Sequence, residues 1–120
     1  YIHTHKTGKL ILASVRCGAI TAGANETELK SLTRYGEAIG LAFQIADDIL
    51  DVEGSKEETG KAAGGDAKKG KATYPALLGV KESRKRAGEL VDIALAAIAG
   101  FDESAEPLRA IAGYVTARKK

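Results

Sequence analysis

An all-α fold is predicted by three observations. Apolar residues recur every three or four positions instead of alternating, Ala and Leu are abundant, and aromatic residues supply only 5% of the chain, with no Trp. The 120 residues suffice for one modest domain, and 44% apolar with 28% charged residues is ordinary for a soluble globular protein.

The first helix is expected from about Thr4 to Thr21, with Ile11, Val15 and either Gly18 or Cys17 on one face and the Gly23-Ala24 stretch ending it. Cys17 is the single cysteine and has no partner at metal-ligand spacing, so it reads as a small core residue. Asn25, followed three residues later by Glu28, is a capping-box start for a second helix. Leu29, Leu32, Gly36, Ile39, Phe43, Ala46 and Leu50 then form a continuous packing seam to about Val52. Gly36 and Gly40 inside that helix each cost roughly 1 kcal/mol relative to Ala, so a close helix approach or room for a ligand should compensate.

From Gly54 to Gly70 the periodicity gives way to Ser, Glu, Lys and Gly, and a mobile basic loop is expected over residues 54–70. Thr73-Tyr74-Pro75 starts a short helix ending near Gly79. Leu90, Val91, Ala94, Leu95 and Ile98 mark a further amphipathic helix from about Glu82 to Ala99, and Leu108, Ile111, Ala112 and Val115 mark a last one after Ser104. The basic end Arg118-Lys119-Lys120 suits the dipole of that helix. No repeat or interdomain linker interrupts residues 1–120, so a single helical unit is expected.

Several function classes drop out. A net charge of +2 argues for neither nucleic acid nor membrane binding. The absence of a long apolar run and of a signal core points to a soluble, cytoplasmic protein. Nucleophile elbow, Walker loop and dinucleotide fingerprint are missing, and His3 and His5, two apart, do not share a helix face.

What remains is an acidic helix face. At roughly 100° per residue, Asp47, Asp48, Asp51 and Gln44 fall within an arc of about 100°. Like charges on neighbouring turns destabilise a helix, so either water solvates this face or a cation occupies it. All-oxygen donors favour Mg²⁺, Mn²⁺ or Ca²⁺ over Zn²⁺, and Mg²⁺ shared with a substrate phosphate fits best. Lys61, Lys68, Lys69 and Lys71 follow within a glycine-rich stretch that could fold over phosphates, although each is also an ordinary surface lysine.

The runs Lys6-Thr7-Gly8-Lys9-Leu10, Gly40-Leu41-Ala42-Phe43-Gln44-Ile45-Ala46-Asp47-Asp48-Ile49-Leu50-Asp51, Gly60-Lys61 and Gly70-Lys71-Ala72-Thr73-Tyr74-Pro75-Ala76-Leu77-Leu78-Gly79 resemble the short-chain trans-polyprenyl diphosphate synthases. The resemblance covers essentially the whole chain. It implies the C-terminal half of the isoprenoid synthase helical bundle around a central cavity. The implied reaction joins an allylic diphosphate to isopentenyl diphosphate, with Mg²⁺ (Mn²⁺ as a substitute) held by Asp47, Asp48 and Asp51. It further implies that Lys6, Lys61 and Lys71 bind the allylic diphosphate, and that Thr7 and Gln44, with Lys6, serve the catalytic step beside the forming carbocation. Phe43 would lie beside isopentenyl diphosphate, or act as core.

The family's first aspartate-rich motif and its isopentenyl diphosphate-binding residues would precede residue 1. The chain lacks an initiating Met and opens inside a helical pattern, so an inactive fragment is expected that forms a homo-oligomer or pairs with the missing N-terminal half. A farnesyl product fits best. A geranylgeranyl product, a non-catalytic helical subunit and a general acidic-face metal binder stand as alternatives.

Overall fold

The computed structural model describes residues 2–59 and 74–118, and every regular element among them is helical, as expected. Helix α1 spans Ile2–Thr21, α2 Glu26–Thr59, α3 Tyr74–Leu78, α4 Val80–Ala97 and α5 Glu106–Ala117. A 3-10 turn at Glu103–Ala105 leads into α5. Among the described residues no helix is long and apolar enough to cross a membrane.

The turn between α1 and α2 is built from backbone bonds. Gly23, at φ 83°, donates to the carbonyl of Ile20, and Ala24 donates to that of Ala19, each at 3.0 Å. This pattern satisfies the last carbonyls of α1 and needs a left-handed residue, which glycine adopts without a Cβ clash. The capping box forms as expected: Glu28 N–H donates to Asn25 Oδ1 at 2.8 Å, and Asn25 N–H donates to Glu28 Oε1 at 2.9 Å.

Helix α2 is the axis of the fold, buried on two sides. Toward α4 and α5 it presents Tyr35, Ala38, Ala42, Ile45 and Ile49, which join Ala87, Leu90, Val91, Ala94, Ile98, Ala112 and Val115 in one core. Burying an aliphatic side chain of this size contributes about 1.5–3 kcal/mol. Toward α1 the contact is closer. A Cβ on Gly36 would lie 3.1 Å from Leu12 Cδ1, and one on Gly40 would lie 3.1 Å from the Gly8 carbonyl oxygen and 3.3 Å from Gly8 Cα. Close helix approach, one of the two explanations for these glycines, is observed at both positions.

A difference between the two sites follows. A Leu methyl can swing aside, but helical backbone cannot, so the gain in helix propensity of about 1 kcal/mol roughly cancels the cost in Gly36→Ala and is outweighed in Gly40→Ala. Urea unfolding should find Gly40→Ala less stable by about 1–3 kcal/mol and Gly36→Ala within about 1 kcal/mol of the unaltered chain. Equal losses at both positions would contradict the backbone contact.

Side-chain bonds fix α5 against α2 and against the segment that follows α4. The Tyr35 hydroxyl donates to the Leu108 carbonyl at 2.7 Å, and burial pushes its pKa up, which keeps it a donor. Arg109 donates to the carbonyls of Ile98, Phe101 and Asp102 at 3.2, 2.6 and 3.1 Å, satisfying the chain end that follows α4.

Three expectations are corrected. Cys17 is exposed, because α1 meets α2 through Gly8, Leu12 and Val15, and Cys17 points away from that row. Ile111 is 50% exposed, since Ala112 and Val115 face the core instead. Helix α2 does not end near Val52; it continues through Gly54 to Thr59. Lys and Glu in that stretch are strong helix formers that need no apolar stripe, and an Arg84–Glu53 ion pair ties the segment to α4. The remainder of the expected loop, residues 60–70, lies outside the described residues.

Candidate functional site

The C-terminal part of α2 carries the acidic face. Gln44 is buried, Asp47 and Asp48 are half-buried, and Asp51 is exposed, so the row runs from the core out to solvent. Helix periodicity alone places them together, with Asp47 one turn beyond Phe43 and Asp51 one turn beyond Asp47.

Gln44 also lines a cleft between α1 and α2 of about 160 Å³, with Gly8 and Lys9 on one side and Glu37, Gly40 and Leu41 on the other. That is smaller than the roughly 300–1,000 Å³ typical of small-molecule pockets. The cleft exists because Gly8 and Gly40 bring two backbones into contact beside it. Thr7 is half-buried and Lys6 exposed on the same turn of α1 as Gly8. Because α1 and α2 run antiparallel through a short turn, the chain before Gly8 lies level with the chain after Gly40. That level is the one at which Gln44 and Asp47 begin. Lys61 and Lys71 lie outside the described residues.

An arginine that sequence reasoning gave another role sits on this face. Arg118 follows the last residue of α5 in extended conformation (φ −67°, ψ 150°), its N–H bonded to the Tyr114 carbonyl. Its Nη2 donates to Asp47 Oδ1 at 2.6 Å, and its guanidinium carbon lies 4.4 Å from the centroid of the Phe43 ring. The Arg118 side chain is 13% exposed and that of Asp47 is 44% exposed. Read from sequence, Arg118 belonged to a basic tail complementing the α5 dipole. No local signal could place it here, because 71 residues separate it from Asp47.

Phe43 therefore has two neighbours of different kind: it packs against the core, and its ring face carries a cation. Among the described residues no group of three or more His, Cys, Asp or Glu side chains converges to hold a metal ion. The three aspartates are instead a row of oxygen donors along one helix face, half-buried at Asp47 and Asp48 and exposed at Asp51. Asp47 already pairs with a cation, the Arg118 guanidinium, and carboxylate oxygens of this kind are the donors that hard divalent cations prefer.

The fold and site define an all-helical protein that presents an acidic helix face beside a tight two-helix crossing. The family model described as polyprenyl synthetase matches residues 1–107. The chain belongs to the polyprenyl synthetase family. It is 50% identical over 118 residues to the dimethylallyltranstransferase of Fischerella ambigua (strain UTEX 1903), covering 98% of this chain and 34% of that protein. It is 49% identical to the geranylgeranyl diphosphate synthase of Cyanophora paradoxa, covering 98% of this chain and 39% of the other. With the farnesyl diphosphate synthase of Escherichia coli (strain K12) the identity is 47%, over 99% of this chain and 41% of that one. The chain thus spans between 34% and 41% of the length of these relatives.

Proposed function

We propose that the chain contributes one of two carboxylate faces to a trans-prenyltransferase that condenses an allylic diphosphate with isopentenyl diphosphate. The observation that carries this reading is the row Gln44, Asp47, Asp48 and Asp51 on one face of α2, inside the stretch matched by the family model.

In this reading Asp47, Asp48 and Asp51 hold Mg²⁺, with Mn²⁺ as a substitute. When bound, the cation neutralises the diphosphate as it leaves the allylic carbon. Lys6, with Lys61 and Lys71, binds the same diphosphate by charge and hydrogen bonding. Gln44 and Thr7 turn oxygen atoms toward the forming allylic cation and stabilise it without attacking it. Gln44 suits the task because its burial keeps water, the competing nucleophile, away from that position. Phe43 lies one turn from Asp47 and would present its ring to the isopentenyl partner. Loss of a proton from the new carbon skeleton, taken up by released diphosphate, completes the step without a side-chain base.

A farnesyl product is the first reading. A geranylgeranyl product is the second, favoured by a relative of that name at 49% identity, against 47% for the farnesyl diphosphate synthase. A cytoplasmic homodimer fits both. Calorimetric titration of geranyl diphosphate into the chain with and without Mg²⁺ tests the site without demanding turnover. Mg²⁺-dependent binding supports the reading, and equal binding in EDTA sinks it.

A further inference from the structure

The Arg118–Asp47–Phe43 contact is not absorbed by the reading above, and Arg118 lies outside residues 1–107 matched by the family model. We propose that Arg118 is a displaceable counter-ion: it occupies Asp47 in the metal-free chain, competes with a divalent cation for that carboxylate, and on leaving uncovers the face of Phe43.

Three observations carry this. First, the guanidinium hydrogen-bonds Asp47 Oδ1 at 2.6 Å, so a dication on the same carboxylate would sit within a few ångströms of a fixed positive charge. With the Arg118 side chain only 13% exposed, water screens that repulsion poorly, and both cations cannot keep full contact with Asp47.

Second, the arginine is held incompletely. Its Nε is buried without a hydrogen-bond partner, and a buried donor left unpaired costs free energy that release into water restores. The contact is therefore balanced between one ion pair with one ring contact on one side and one orphaned donor on the other.

Third, the backbone permits release. Arg118 is the C-cap residue of α5, already extended, tied by its own N–H to Tyr114. Swinging its side chain out disturbs neither Ala112 nor Val115, which anchor the helix in the core. Phe43 and Asp47 share a face at i, i+4, so one departure frees both the carboxylate oxygen and the ring face.

The inference rests on Asp47 being a cation ligand, and the experiment separates the two. Mn²⁺ is titrated, in the presence of inorganic pyrophosphate, into the full chain and into R118Q, R118K and D47N, with free Mn²⁺ read by electron paramagnetic resonance. R118Q should bind roughly threefold to tenfold more tightly, R118K should stay close to the unaltered chain, and D47N should bind at least roughly tenfold more weakly. Unchanged or weaker binding by R118Q, with D47N still impaired, overturns the counter-ion and leaves Asp47 as a ligand. D47N binding as tightly as the unaltered chain, or no binding by any of them, overturns both.

A structural role alone would lower the melting midpoint of R118Q without changing its Mn²⁺ affinity. A readout on the unaltered chain guards against a variant that does not fold: the Nε–Hε nuclear magnetic resonance signal of Arg118 should move on adding Mg²⁺ and pyrophosphate. A signal that stays fixed while Mg²⁺ binds overturns the displacement.

Discussion

An Asp47→Ala, Asp51→Ala variant is expected to lose roughly a hundredfold in Mg²⁺-dependent affinity for an allylic diphosphate while keeping its helix content. In the proposed site two ligands on adjacent turns are removed, so a cation left with Asp48 alone would no longer bridge protein and phosphate. The fold has little reason to respond. Asp51 is exposed and Asp47 is 44% exposed, so no core cavity opens. Removing like charges from neighbouring turns, and Asp from a helix interior, favours α2 by a few tenths of a kcal/mol each. The opposing cost is Arg118, left 13% exposed without its carboxylate. Calorimetry paired with circular dichroism separates the effects: lost binding with intact helix content assigns the site to these carboxylates, and retained binding places the diphosphate elsewhere.

The largest stability loss should come from Ile45→Ala. Ile45 has no exposed surface and sits in the middle of the stripe that α2 presents to α4 and α5. Truncating such a residue removes transfer free energy and leaves a void that helices pinned by Tyr35 and Arg109 cannot fully close. The expected cost is about 2–5 kcal/mol, a large share of the roughly 5–15 kcal/mol that holds a domain together. It would be read as a fall in urea midpoint at constant slope. Leu78→Ala, at a position already 52% exposed, should stay within about 0.5 kcal/mol. A similar response at both sites would mean that the stripe is not the core.

Features governed by local spacing were legible in the sequence. The Asn25–Glu28 capping box and the glycine turn at Gly23 depend on residues within one or two helical turns, and both are found, whereas Gly36 and Gly40 left open whether a helix or a ligand would approach, because Leu12 and Gly8 lie on another helix. The acidic row is likewise a matter of periodicity, and the Gln44 to Asp51 face follows from it. What was not legible required knowing which helix meets which.

Tyr35, Ala38, Ala42, Ile45 and Ile49 repeat at the same alternating spacings as the expected seam, yet they form a second stripe. A helix buried on two sides carries two such rows, and the pattern does not rank them. Cys17 looked internal because its neighbours are apolar, but the row on α1 that reaches α2 bypasses it. The far end of α2 was lost for the opposite reason: charged residues sustain a helix without leaving an apolar trace. Arg118 reaches Asp47 only through the docking of α5, which depends on Tyr35 and Arg109 and on no motif.

The contact between Gly8 and Gly40 leaves no side chain between two backbones, and so no rotamer that could adjust. Helices α1 and α2 are therefore fused into one stiff body at that level. The separation between the turn bearing Lys6 and Thr7 and the turn bearing Gln44 and Asp47 is set when the chain folds, not when a ligand arrives. A molecule spanning the two turns would find both ends of its cradle already in place, and the ordering entropy that flexible clefts surrender on each binding event would have been spent once, at folding.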